Sequence, residues 1–268
     1  MSRAYLPAPM RSGAEISVVT PSAVRAHSLD VRVVTDTLAS VKLSILMPVY
    51  NEEACVAEAV KQALDVKYPC EVELVVVDDG SRDATGEILA GVGDARVRVC
   101  THPRNRGKGA AVRTAAAHAT GDYMVMLDAD LEYDPEDIPR LLEPVLDGRA
   151  TVVYGNRSFG SHSSFSFWYV MGNRAVTTAA NVLFNCYLGD LETCFKLMPV
   201  SLFRSLDVRS AGFGMEAEVT GKLLRRRVRP YEVPISYRAR TREEGKKITW
   251  RDGVEALWIL ARERARRS

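Results

Sequence analysis

Asp128-Ala129-Asp130 closes the apolar run DYMVMLDAD with two carboxylates at i and i+2. On an extended segment that spacing puts both acids on one side. Carboxylate oxygens suit a hard cation such as Mg²⁺ or Mn²⁺, whose shell diphosphate oxygens can complete. The small Ala129 would let a nucleotide approach the backbone. An Asp-x-Asp triplet alone is common, and also reads as a turn with a solvated acid. A second acidic strand end weakens that plainer reading. EVELVVVDDG runs apolar into Asp78-Asp79-Gly80-Ser81. There Ser81 or Asp83 suits a helix cap, and one of the two aspartates is left to accept hydrogen bonds from a base N–H or ribose hydroxyls. A third polar cluster, Pro48-Val49-Tyr50-Asn51-Glu52, ends VKLSILMPVY. Arg104-Asn105-Arg106-Gly107-Lys108-Gly109 is a basic loop feeding a helix. Lys108 there serves a phosphate or sits in solvent, and the residue order is not that of a P-loop.

Strands and helices must carry these clusters. VKLSILMPVY, EVELVVVDDG, RVRVC and DYMVMLDAD read as four strands. Between them, Val56, Ala59, Val60, Ala63 and Leu64 recur at helical spacing, and Ala110 to His118 reads as a second helix. Apolar strands alternating with helices predict an α/β chain whose mostly parallel sheet is buried on both faces. Ligands of such sheets gather beyond the carboxyl ends of the strands. Parallel pairing would therefore line up the three polar clusters along one edge. Residues 1–40 contain Pro7, Pro9, Gly13 and Pro21 and lack a clean period, so they read as an extension.

Composition excludes several classes. With 268 residues, 47% hydrophobic and 26% charged, the chain is neither disordered nor fibrous. The longest uncharged stretch, Ser158 to Asn173, is 16 residues and rich in Ser; a spanning helix needs about 20 mostly apolar ones. The opening residues show no signal-peptide core, and five cysteines without a CxxC pair fit reduced thiols in a cytoplasmic setting. His27, His102, His118 and His162 are scattered without zinc-ligand spacing. No Gly-x-Ser-x-Gly elbow and no Gly-x-Gly-x-x-Gly follows the first strand, which disfavours serine hydrolases and dinucleotide-binding dehydrogenases.

Taken together, SILMPVYNEE, VVVDDGSRDATGEIL, NRGKGAAVRTAAAHATGDYMVMLDADLEYDPEDIP, VVYGNRSF, DLETCFKLM, FGMEAEVTGKLLRR and YEVPISYRARTREEGKKITWRDG resemble family 2 glycosyltransferases. The likeness is nearest the dolichol-phosphate mannose synthase branch. The resemblance implies a single GT-A (Rossmann-like) domain over residues 41–247, a UDP- or GDP-hexose donor, Mg²⁺ or Mn²⁺, inversion at the anomeric carbon and a polyprenyl-phosphate acceptor. Residue by residue, it implies that Pro48, Tyr50, Glu52, Val77 and Asp79 line the base and ribose pocket. Asp128, Ala129 and Asp130 would form the metal and diphosphate site, with Glu132 as another metal ligand. Arg157, Arg240 and Lys246 match basic residues facing the donor diphosphate or the site mouth, while Arg174 and Lys196 match residues turned toward the acceptor phosphate. Glu216 matches a family acid.

Two departures are visible. Lys196 stands where the family often has Arg, and Glu192 is an acid that the family's mannose synthases lack. A lipid phosphate is already anionic near neutral pH and needs no general base. A hydroxyl acceptor would need one, with Glu192 or Glu216 as the candidates. Transfer to a hydroxyl or amine, or nucleotide-sugar binding without catalysis, therefore stay open beside the lipid-phosphate reading.

From Lys222 onward there are 15 Lys and Arg against 6 Asp and Glu, a net of +9, so the first 221 residues carry −7 of the chain's +2. Residues 248–268 place Trp250, Val254, Leu257, Trp258 and Ala261 on one helical stripe, followed by four arginines. That stripe is expected to dock on the domain core or to lie peripherally on an anionic membrane. Without an RNA-binding motif, nucleic acid is a poor partner for this charge.

Overall fold

Leu43, Ile45, Leu46 and Met47 are completely buried because β1 (Lys42–Val49) lies inside a sheet covered on both sides. The computed structural model describes residues 41–158, 160, 167–240 and 249–266. The expected extension over 1–40 and Lys246 lie outside the described residues. Six further strands follow: β2 (Glu71–Asp78), β3 (Val97–Thr101), β4 (Tyr123–Met126), β5 (Val153–Asn156), β6 (Lys196–Pro199) and β7 (Tyr231–Pro234). The helices are α1 (Val56–Asp65), α2 (Thr85–Ala90), α3 (Lys108–His118), α4 (Ile138–Leu146), α5 (Phe167–Phe184), α6 (Val200–Ser205), α7 (Met215–Arg225) and α8 (Trp250–Ala265).

The strand order is β3-β2-β1-β4-β6-β5-β7. β1 pairs in parallel with both β2 and β4, and the registers Val49↔Asp78 and Leu46↔Met126 bring the three strand ends to one edge. This is the alignment expected from the four strand patterns. β6 runs antiparallel to β4 and β5. Its start, not its end, therefore lies at that edge, which delivers Glu192 and Cys194 there.

α8 docks on the core, but not by the stripe expected to do so. It docks on α5 and α7 through Ala256, Ile259 and Leu260, packed with Val176, Ala180 and Ala217. The stripe Trp250, Val254, Leu257 and Trp258 faces outward instead. Small partners explain the choice, since a β-carbon on Gly221 would already sit 3.2 Å from Glu263 Cβ. Glu263 is fully buried in the seam, where Arg266 and Arg225 approach its carboxylate at 2.8 and 3.6 Å. Bulky indoles cannot enter so close a contact.

Candidate active site

A cavity of about 360 Å³ opens at the shared strand edge. The β1 end supplies Pro48, Tyr50 and Glu52, the β2 end Asp79, and the residues after β4 supply Asp128, Ala129, Asp130 and Glu132. Gly107 and Lys108 come from the basic loop, Arg157 from the β5 end, and Tyr237 and Arg240 from beyond β7. Most of the expected site thus converges.

Asp79 holds the basic loop against the sheet. It accepts hydrogen bonds from the backbone N–H of Arg106 (3.0 Å) and Gly107 (2.7 Å), and lies 2.6 Å from His102 Nδ1. The approach is close: at Gly80, with φ +73°, a β-carbon would fall 2.6 Å from the Arg104 backbone. Only glycine takes that conformation without strain. Val77, expected in the same pocket, is completely buried in β2 and does not line the cavity.

The acids and cations of the wall are interlocked. Lys108 Nζ sits 2.8 Å from both Asp128 Oδ2 and Glu216 Oε1. Burial alone would lower its pKa, but those two carboxylates hold it well above the ordinary lysine value. Lys108 thus divides two acids at the cavity wall and does not stand free in solvent. Arg240 bridges Glu52 (3.2 Å) and Asp130 (3.3 Å), and its Nε is buried without a hydrogen-bond partner. Glu132 Oε1 lies 3.9 Å from that nitrogen, beyond hydrogen-bond reach.

Arg157 is clamped by Asp190, with Nε–Oδ2 at 2.6 Å and Nη2–Oδ1 at 2.8 Å, and stacks 5.0 Å from the Tyr237 ring. Asn173 donates to the same Asp190 oxygen at 3.0 Å. Sequence reasoning missed Asp190, although the motif DLETCFK begins with it. Tyr133, Tyr237, Asn105 and Phe213 also line the cavity and carry no local signal that separates them from core or loop residues.

The two cations expected to meet an acceptor phosphate do not reach the wall. Lys196 is fully buried, and its Nζ donates to the carbonyls of Leu191 (2.8 Å) and Thr193. Burial pulls its pKa down to about 8. The reason is β6: a strand that starts beneath the cavity turns Lys196 into the protein, where only backbone carbonyls can satisfy it. Arg174 is exposed on α5 and is not among the lining residues. Glu192 and Glu216 do line the cavity, and Glu192 Oε1 and Glu216 Oε2 are buried without hydrogen-bond partners. Burial, then repulsion from Glu216, pushes the Glu192 carboxyl up to about 7.

Glu132 does not fit the metal role. Its Oε2 accepts from the Tyr237 hydroxyl and its Oε1 from Arg240 N at 2.8 Å, so it anchors the segment after β7. Among the described residues, no three His, Cys, Asp or Glu side chains are grouped to hold a metal. A smaller donor set does fit, because Mg²⁺ commonly takes one or two carboxylates plus substrate phosphates. Burial, then repulsion from Asp128 and Glu132, pushes the Asp130 carboxyl up to about 7. A divalent cation shared by Asp128 and Asp130 would relieve that crowding of negative charge.

Residues 44–207 match the family model described as Glycosyl transferase family 2. The chain belongs to that family. A low-salt glycan biosynthesis hexosyltransferase of Haloferax volcanii is 32% identical over 208 residues, covering 75% of this chain and 49% of that protein. An undecaprenyl-phosphate 4-deoxy-4-formamido-L-arabinose transferase of Pseudomonas aeruginosa is 40% identical over 112 residues, 40% of this chain and 33% of that one. The chain thus spans about half, or less, of the length of these curated relatives. Glucosyl-3-phosphoglycerate synthase from Mycobacterium tuberculosis, solved with uridine diphosphate, superposes with a TM-score of 0.68 at 21% identity, over 88% of this chain and 84% of that one. The likeness establishes the GT-A fold.

Proposed function

We propose that this family 2 glycosyltransferase is a Mg²⁺- or Mn²⁺-dependent, inverting enzyme that moves a hexose from a UDP- or GDP-sugar to a polyprenyl phosphate. The observation that carries the reading is the pair Asp128 and Asp130 facing one cavity with Arg240, whose buried Nε makes no hydrogen bond. Two similar proteins support it. The Mycobacterium synthase was crystallised with Mn²⁺ and uridine diphosphate, and the Pseudomonas relative is named for undecaprenyl phosphate.

Pro48, Tyr50 and Glu52 would receive the base and ribose, with Asp79 shaping that end by fixing the loop over it. Asp128 and Asp130 would hold the cation, with Ala129 leaving room for the diphosphate. The bound cation supplies charge neutralisation of the departing nucleoside diphosphate. Arg240 adds a fixed guanidinium to the same task, and Arg157, locked by Asp190, keeps its charge oriented without reorganisation. Lys108 places one positive charge between the Asp128 and Glu216 carboxylates. Lys246 would join the diphosphate contacts.

A second reading is favoured by Glu192. A carboxyl with a pKa of about 7 and an orphaned buried oxygen suits a general base for a hydroxyl acceptor, whereas Lys196 is spent on backbone carbonyls. A panel of UDP- and GDP-hexoses tested against short-chain polyprenyl phosphates and against sugar alcohols separates the two. On the lipid phosphate, Asp130→Asn and chelation by EDTA should each lower transfer by at least about 10²-fold, and Mn²⁺ should restore only the chelated wild type. Near-normal turnover of Asp130→Asn would refute the metal role.

A further inference from the structure

α8 has two apolar faces and uses only one. Residues on a helix advance by about 100° each, which sets Ala256, Ile259, Leu260 and Glu263 on one side and Trp250, Val254, Leu257 and Trp258 nearly opposite. The first set is buried against α5 and α7; in the second, Trp250 is 75% and Trp258 60% exposed. Phe167 and Trp168, in the first turn of α5, are 64% and 79% exposed. The two helices run side by side in the same direction: Arg264 Nε donates to the Leu183 carbonyl at 2.8 Å, and Val176 and Ala180 pack with Ala256 and Ile259. Their aromatic first turns therefore lie at the same end.

We propose that the outward face of α8, together with the first turn of α5, seats on the surface of a lipid bilayer bearing anionic headgroups. Charge complementarity selects this occupant. Arg251 lies 5.8 Å from the Trp250 ring and Arg262 4.8 Å from the Trp258 ring, so each indole is flanked by a guanidinium. Arg264 is exposed on the same side of the helix. Indoles prefer the headgroup level, with the ring in the acyl boundary and the N–H in water, and arginines beside them meet lipid phosphates. No helix among the described residues is long and apolar enough to cross a membrane, so the contact would lie along the surface.

The seat lies across α8 from the cavity wall, one helix width away. A β-carbon on Gly214 would fall 2.5 Å from Ile259 Cδ1 and 3.1 Å from Glu255 Oε1 of α8, and Gly212 and Phe213 line the cavity. A lipid-borne acceptor would thus be presented beside that wall; this consequence rests on the proposed acceptor, whereas the surface itself does not.

Flotation of the full chain, with neither donor nor acceptor present, tests the surface alone. On vesicles of phosphatidylcholine with about 30 mol% phosphatidylglycerol, the wild type should float and its tryptophan emission should shift to the blue. Vesicles of phosphatidylcholine alone should carry little protein. Trp250→Ser combined with Trp258→Ser should weaken binding by about tenfold or more with the thermal melt unchanged, as both side chains are exposed. Equal flotation of the double variant, or none of the wild type on anionic vesicles, would overturn the proposal. So would a dimer in light scattering that the double variant dissolves, since the face would then be a protein interface.

Discussion

Replacing Asp190 with Asn keeps the shape of the side chain and removes one charge from a fully buried position. Two charge-assisted hydrogen bonds to Arg157, at 2.6 and 2.8 Å, are weakened together. Each such bond contributes about 1.5–3 kcal/mol, and stripping the partner from a buried charge costs about 3–5 kcal/mol. Asn retains one acceptor, so the lower end, about 3 kcal/mol, applies. For a chain of this size that lowers Tm by roughly 6–12 °C. The pH dependence supplies a second check. Burial alone would raise the Asp190 pKa, but Arg157 holds it below the ordinary carboxylate range. A depressed folded-state pKa means the stabilisation is fully present above the unfolded value of about 3.9 and fades only as pH falls through the folded one. Thermal melts from pH 8 down to pH 3 should show a constant gap between wild type and Asp190→Asn at neutral pH that closes only in acid. A Tm within about 2 °C of wild type at pH 7 would refute the clamp.

Two further outcomes follow from the same geometry. Glu192 carries the opposite sign: its carboxyl is raised from 4.5 to about 7, so its ionisation removes stability as pH climbs between those values. Glu192→Gln should therefore gain up to about 3 kcal/mol over wild type above pH 7 in urea denaturation, and no gain would show that the group is not buried against Glu216. Gly80→Ala forces a β-carbon to within 2.6 Å of the Arg104 backbone at a φ of +73°. A loss of about 1–3 kcal/mol in stability, with weaker binding of UDP or GDP in calorimetry, is expected; unchanged binding would separate the Asp79 loop from the nucleotide end.

Local signals carried the first half of the sheet. Apolar runs ending in acids identify β1, β2 and β4 because a strand buried on both faces admits little else, and the acids become conspicuous where the run stops. The residues brought from afar were harder to place. Lys196 and Arg174 are basic residues in motifs of the right family, yet one is consumed by the Leu191 and Thr193 carbonyls and the other stands outside the cavity wall. Sequence records a side chain's chemistry; its direction depends on the hand of β6 and on the exposed face of α5. Glu132 shows the same limit, since two residues beyond Asp130 the chain has already turned toward Tyr237.

What the sequence determined by itself is therefore the α/β alternation, the family and the acids that line the cavity, all of which rest on short-range patterns along single strands. Tertiary structure alone decided the pairing of each charge: Lys108 between Asp128 and Glu216, Asp190 on Arg157, Glu263 of α8 on Arg225. It also decided which of the two apolar faces of α8 is spent on the fold. Such choices depend on which small residues let two segments approach and which buried charge finds a counter-charge, and these partners lie many residues apart in the chain.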